Sequence, residues 1–321
     1  MSDLAQRDLA QRVRAALADL HPNEPIGGLQ PLVGGHSGLT YAVAAGPTRY
    51  AVKASVAAER PVGRNDMLRQ ARALRTLAGS GVPIPAIAVV DDADPPWFAM
   101  EYVEGDATEP VLDEHALPAF VVRTRMLDLA KVLRSLHEVD CGPLEAEPVD
   151  PGAELARWTR TMHAVPAELR PGGAELMERL GETAPAAVAP TLVHGDFRLG
   201  NALCQGSKVL AVIDWELWSV GDPRVDLAWF LLFADAANFP RLGSPSPGVP
   251  PDSELLGAYL GARPLPADFA WFRALSRAKM AAIMGHNLRR HREGRRHDPD
   301  QERLPPTIAA MLRSARAILD D

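Results

Sequence analysis

The segment TLVHGDFRLGNALC carries an aspartate, Asp196, and five residues later an asparagine, Asn201, in a glycine-containing loop between two apolar, strand-like runs. A further run, VLAVI, then delivers Asp214 at the head of Asp-Trp-Glu. One carboxylate can orient an alcohol and take its proton. An amide oxygen and a second carboxylate can hold Mg²⁺ against phosphates. Together they are what phosphoryl transfer from ATP to a hydroxyl requires. An Asp-x₄-Asn spacing alone is a common turn device, with both side chains bonded to local backbone. Here His-Gly precedes it, IDWE follows it, and GDPRVDLAWFL comes next, and that combination is specific.

Such a loop needs a rigid frame on both sides. From about Gly28 to Val103 the chain reads as short strands with one helix. LQPLVGG, LTYAVAA and RYAVKAS are Val-, Leu-, Tyr- and Thr-rich runs separated by Gly and Pro-Thr turn signals, as in an antiparallel meander. In DMLRQARALRTLA, Met67, Ala71, Leu74 and Leu77 share one helical face. Gly79 and Gly81 end that helix, VPIPAIAVV returns to extended chain, and WFAMEYV is a further strand ending at EGD. Beyond it the pattern turns helical: Val122, Met126, Leu129, Leu133 and Leu136 mark a long buried helix. The Pro-rich stretch 242–252 is a surface loop, since helical pattern resumes on both sides. The expected class is α+β in two lobes. Residues 1–103 form a small lobe of antiparallel sheet and one main helix, and residues 104–321 a larger, mostly helical lobe.

Bulk properties fit a soluble enzyme. The chain has 321 residues, 47% hydrophobic and 23% charged, with a net charge of −7, which disfavours broad nucleic-acid binding. Two cysteines, Cys141 and Cys204, make neither a disulfide framework nor a zinc pair and suggest a reduced, cytoplasmic setting. The first twenty residues form an amphipathic helix without a signal-peptide core, and no long uncharged apolar stretch exists, so no membrane partner is expected.

HGDFRLGN, IDWE and GDPRVDLA resemble the signature of the aminoglycoside phosphotransferase and choline kinase superfamily, whose fold is the two-lobed, protein-kinase-like one. VGGHSGLTYAV, GVPIPA and IDWELWSVGDP are more narrowly similar to phosphotransferase domains related to those fused to acyl-CoA dehydrogenases. The similarity runs from about Pro31 to Gly294. It implies ATP and Mg²⁺ as cofactors, Asp196 as catalytic base, and Asn201 and Asp214 as metal ligands. It further implies that His194 shapes the catalytic loop and that Asp226 braces it, a helix N-cap role for Asp226 staying open. Lys53 of YAVK would bind the α- and β-phosphates, though a surface lysine at a strand end looks the same. Gly35, His36 and Ser37 would bring backbone N–H groups to phosphate oxygens, although GGHSG is not a G-x-G-x-x-G loop. The backbone of Glu101 and Val103 would meet adenine. Where the superfamily has a glutamate to pair with the strand lysine, this chain has Gln70, which keeps a hydrogen bond and loses its charge assistance. Asp66, one turn earlier, is expected to be able to substitute.

The partner implied is a small-molecule hydroxyl acceptor. From Arg241 to Asp321 the chain has 13 Lys and Arg against 9 Asp and Glu, much of it in RRHREGRRH (289–297). That balance suits an anionic or neutral acceptor, in particular a hydroxy acid or hydroxyacyl-CoA, better than a polycationic aminoglycoside. The alternative for 289–297 is a solvated helix end whose cations complement the helix dipole. An antibiotic phosphotransferase and a catalytically weak, pseudokinase-like nucleotide binder are the competing functions. A protein kinase proper is disfavoured by the missing D-F-G and A-P-E segments. Trp215, Trp218 and Trp229 are expected in core or pocket wall, and His286 and His291 as non-catalytic.

Overall fold

The structure is a computed structural model, and it describes residues 3–32, 39–55, 66–114 and 117–320. The chain opens with α1 (Asp3–Leu20), then β1 (Gln30–Pro31), β2 (Leu39–Ala45), β3 (Thr48–Ala54), α2 (Met67–Leu77), β4 (Ile87–Asp91) and β5 (Trp97–Glu101). These strands form one antiparallel sheet in the order β1-β2-β3-β5-β4.

Alternation along the strands decides which side chain faces what. Tyr41, Val43, Tyr50, Val52, Trp97 and Ala99 turn to one face and bury against Leu9, Val13 and Leu17 of α1. Arg12 pins that helix down: Nε donates to Asp91 Oδ2 at 3.0 Å, and NH1 and NH2 donate to the Pro95 and Ala93 carbonyls. Lys53 lies between Val52 and Ala54 and so faces the other way, toward α2. The expected α2 face of Met67, Ala71, Leu74 and Leu77 is buried there with Phe98.

Past β5, Gly105 and Asp106 run against a hairpin made of β7 (Ala202–Gln205) and β8 (Lys208–Val212). Asp106 and Cys204 exchange backbone bonds of 2.9 and 2.8 Å. A Cβ on Gly105 would stand 2.8 Å from the Cys204 carbonyl oxygen, so only glycine permits this approach. Buried Arg125 of α3 (Ala119–Leu136) clamps the contact, bidentate to Asp106 at 2.5 and 2.8 Å and through Nε to the Gly206 carbonyl.

The remaining elements are α4 (Pro151–His163), α5 (Gly173–Glu182), β6 (Thr191–Val193), β9 (Ser219–Gly221), α6 (Arg224–Leu232), α7 (Asp252–Leu260), α8 (Phe269–Arg292) and α9 (Pro305–Asp320). Helix α8 is almost wholly buried among α4, α6 and α9 and forms the spine of the helical core. Strands β6 and β9 pair antiparallel and hold the two ends of the loop region together. No helix among the described residues is long and apolar enough to cross a membrane.

Candidate active site

Asp196 lies just beyond β6, where the chain turns through Gly195 at φ +85°. A Cβ at 195 would stand 2.6 Å from the Leu217 carbonyl oxygen, so glycine is required by both conformation and space. The turn is held from below by Asp226 of α6. Its fully buried carboxylate accepts from His194 N at 2.6 Å and Gly195 N at 2.8 Å. Asp226 is therefore inside the first turn of α6 and not at its N-cap, which is Pro223. Burial raises its pKa, but His137, 3.6 Å away, and His194 outweigh that and hold the carboxyl below the usual range. The His194 ring locks the loop to the next strand: Nδ1 accepts from Asp196 N, so Nε2 carries the proton and donates to Ile213 O at 2.9 Å.

The Asp196 carboxylate is aimed by two close donors, with Arg198 Nε a further ion-pair partner 3.4 Å from Oδ1. Oδ1 accepts from Trp229 Nε1 at 2.6 Å and Oδ2 from Asn201 Nδ2 at 2.7 Å. The same Asn201 amide donates to the Asp196 carbonyl, which turns its own Oδ1 outward. Asp214 arrives beside Asn201 because β7 and β8 pair, and Ile213 N donates to Asn201 O at 2.9 Å. Asp214 itself adopts φ +67°, a conformation that costs a non-glycine residue about 1 kcal/mol or more and swings its carboxylate off the strand line. It meets Lys53, whose Nζ lies 3.2 Å from Asp214 Oδ1 and 3.3 Å from Gln70 Oε1. Asp66 does not share that lysine. It is the N-cap of α2 and its carboxylate accepts from Arg69 N at 2.9 Å.

Two recesses flank this cluster. One is lined by Lys53, Gln70, Phe98, Met100, Asp214 and Trp215. The other, a shallow one, opens beside Gly195 and is walled in part by Arg157, Trp158, Leu217 and Lys279. Residues 28–275 match the sequence model of the phosphotransferase enzyme family, APH. This chain belongs to that family.

Members of the family are small-molecule kinases that phosphorylate hydroxyl groups. Among proteins of known sequence, this phosphotransferase is 30% identical over 243 residues to acyl-CoA dehydrogenase family member 10 of Mus musculus. The match covers 67% of this chain and 22% of that relative, so the chain spans about a fifth of the relative's length. Among solved structures it is similar to a candidate aminoglycoside phosphotransferase from Ralstonia eutropha. The TM-score is 0.78 at 21% identity, with 96% of this chain and 98% of the other covered. It also resembles aminoglycoside phosphotransferase APH(4)-Ia, solved with ADP and hygromycin B, at TM-score 0.61 and 17% identity, covering 94% and 98%. Both likenesses establish the kinase-like fold.

The cluster holds only some of the residues predicted for the site. Gly35, His36 and Ser37 lie outside the described residues. The Glu101 N–H is spent on the Ala86 carbonyl at 2.8 Å, which leaves its carbonyl as the group to meet a base. The arginines of 289–297 are not at the site. Arg292 is paired with Glu302 at 2.8 and 2.6 Å, Arg295 with Glu293, and Arg289 with the Ala164 carbonyl. At 1.5 Å per residue the cluster begins about 15 Å along α8 from Lys279. These pairs are the helix-end arrangement.

Three residues of this phosphotransferase's site lie outside the predicted catalytic and binding set. Trp229 holds Asp196 from 33 positions away. Lys279 is buried, donates to the Gly195 carbonyl at 2.5 Å, and lies 3.9 Å over the Trp229 ring and 5.2 Å over Trp158; burial pushes its pKa down. A lone lysine inside the apolar run of α8 was the available hint. Glu109 is buried under the loop and accepts from Gly200 N at 2.9 Å, with Arg198 at 3.4 Å.

Burial pushes the Glu109 carboxyl up to about 7 from an ordinary 4.5. The folded state thus holds this proton more tightly than the unfolded chain. Its contribution is fully present below pH 4.5 and is lost as pH rises through about 7. Stability is expected to fall by up to roughly 3 kcal/mol across that window. Glu109→Gln, which keeps an oxygen for Gly200 N–H, is expected to flatten the slope in denaturant unfolding followed from pH 5 to pH 8. An unchanged slope would show that Glu109 is ionised throughout.

Proposed function

We propose that this phosphotransferase moves the γ-phosphoryl group of ATP to the hydroxyl of a small anionic molecule, a hydroxy acid or hydroxyacyl-CoA, with Mg²⁺ as metal and Asp196 as general base. The observation that carries the reading is the hydrogen-bonded cluster of Asp196, Asn201, Asp214 and Lys53, brought together by the β6–β7 loop, the end of β8 and β3. Asp196 takes the acceptor proton as the new oxygen–phosphorus bond forms; the bond from the γ-phosphorus to the bridging oxygen breaks, and ADP leaves. The two donors on Asp196 orient its carboxylate, and Trp229 shields one edge of it from water.

The donor set fits magnesium. Asn201 Oδ1 and the Asp214 carboxylate are hard oxygen ligands, and Mg²⁺ usually takes one or two protein oxygens and fills its shell with phosphates and water. Bound there, the ion neutralises phosphate charge. Lys53, now resting on Asp214, is placed to turn to the α- and β-phosphates. The Glu101 carbonyl and the Val103 backbone are the groups for adenine, next to the recess lined by Met100. A nucleotide in the kinase-like neighbour solved with ADP supports ATP as donor. A cytoplasmic setting goes with this reading.

Calorimetric titration with ATP checks the metal half of the reading. Affinity is expected to rise at least 10-fold when Mg²⁺ is present, and Asp214→Asn is expected to remove that gain. Equal affinity with and without Mg²⁺ in the unaltered protein contradicts it.

A further inference from the structure

Helix α8 carries one lysine, Lys279, that is buried between Trp158 of α4 and Trp229 of α6. Its Nζ donates to the Gly195 carbonyl at 2.5 Å and lies 3.9 Å from the centre of the Trp229 ring and 5.2 Å from that of Trp158. These are three electron-rich partners, and an ammonium has three N–H donors. A neutral amine would also need a donor for its lone pair, and among the described residues none reaches Nζ. Burial pushes the lysine pKa down, and the charges of Glu154 and Asp196 pull against that.

Both of those carboxylates are reached through a ring. Trp158 Nε1 donates to Glu154 Oε1 at 2.6 Å, and Trp229 Nε1 to Asp196 Oδ1 at 2.6 Å. The order is carboxylate, indole, ammonium, indole, carboxylate, and the last is the Asp196 side chain of the catalytic loop. A cation over an indole face draws on the ring's π density and makes its N–H a stronger donor. The same ammonium holds the carbonyl of Gly195, the residue directly before Asp196. One side chain thus acts on the backbone entering Asp196 and, through Trp229, on its carboxylate. Burying an ammonium is costly, and a methionine would fill the same space without that cost, so packing alone does not account for the lysine.

We infer that Lys279 is a positioning residue for the transfer reaction: acting through Trp229, its ammonium strengthens the hydrogen bond that aims the Asp196 carboxylate at the acceptor hydroxyl. This rests on Asp196 as the base; the coupling of ammonium to indole is measurable without it.

NMR of the protein labelled with ¹⁵N-tryptophan reads the six indole N–H groups, with Trp229 and Trp158 assigned by Trp229→Phe and Trp158→Phe. Lys279→Met is expected to move the Trp229 indole proton upfield, and by more than that of Trp158, whose ring lies farther from Nζ. It is also expected to lower the initial rate of phosphorylation in a metabolite extract supplied with Mg²⁺ and ATP roughly 10-fold, the scale of a desolvated cation–π contact. Mg²⁺–ATP affinity by calorimetry should stay within roughly two-fold, since the lysine acts on the base and not on the nucleotide. Lys279→Arg should restore the proton's position and most of the rate. In a Trp229→Phe background, Lys279→Met should cost little more. Lys279→Gln carries the same expectations where Lys279→Met does not fold. A Trp229 proton that stays in place, a rate unchanged by loss of the charge, or an equal further loss in the Trp229→Phe background overturns the inference. A shifted proton in a native protein that phosphorylates nothing keeps the coupling and sinks the transfer reading.

Discussion

Asp196→Asn is expected to lower kcat for phosphoryl transfer by about 10³-fold, within the 10²- to 10⁴-fold range that a positioned general base supplies. The substitution is nearly isosteric, so the loop should keep its shape. Asn at 196 can still present an oxygen to Trp229 Nε1, but its other terminal atom becomes a donor facing the Asn201 amide, where the native carboxylate accepts at 2.7 Å. Two consequences are separable. Loss of the base removes proton acceptance, which lowers kcat. The altered contact with Asn201 disturbs a proposed metal ligand, which weakens Mg²⁺-dependent ATP binding by a few-fold at most. Steady-state ADP release with a hydroxy-acid acceptor, beside an ATP titration, reads both. A kcat within three-fold of the native value would show that another group takes the proton.

The largest effect on stability is expected at Asp226. Its carboxylate is fully buried and satisfies two backbone N–H groups, at His194 and Gly195, at the point where the chain must turn through a left-handed glycine. Asp226→Ala leaves both donors buried without an acceptor, and also leaves His137 and His194 beside a cavity. Each orphaned donor costs about 1–3 kcal/mol, so the total loss should be roughly 3–5 kcal/mol. Denaturant unfolding measures it. Asp226→Asn retains one acceptor and should lose less. The pH behaviour has a definite sign. Because the folded carboxyl is held below its unfolded value, its contribution is present above the unfolded pKa and disappears as pH falls through the folded one. The gap between native and Asp226→Asn proteins should therefore narrow in acid, opposite to the slope set by Glu109. A gap that widens in acid would mean that Asp226 is protonated in the fold.

What the sequence reveals and what it hides follow one physical division. Asp196, Asn201 and Asp214 are bound into contiguous strand–loop–strand segments, so their relation survives in spacing. The sheet is legible for the same reason: alternation in YAVKA puts Tyr50, Val52 and Ala54 on the α1 face and Lys53 on the other. The face of α2 and the buried positions of α3 follow from helical period alone. Trp229, Glu109 and Lys279 touch the loop from 33, 91 and 84 positions away, and each looks like an ordinary core or surface residue in its own segment. Helix α4 carried a readable signal in Asp150-Pro151, an N-cap with proline at the first turn, but what it brings to the Gly195 recess is set by packing against α8. The positive balance of the last eighty residues is a coarser signal for a related reason. Net charge counts arginines without their partners, and Arg292 and Arg295 are paired with glutamates at a helix end.

The most direct measurement of the transfer chemistry is a mass-spectrometric comparison of a metabolite extract incubated with Mg²⁺ and ATP and either the native protein or Asp196→Ala. The loop geometry predicts at least one hydroxyl compound that gains a single phosphoryl group with the native protein and stays unmodified with the variant. The same phosphorylated products in equal amount from Asp196→Ala, or none from a native protein that binds Mg²⁺ and ATP, would contradict it.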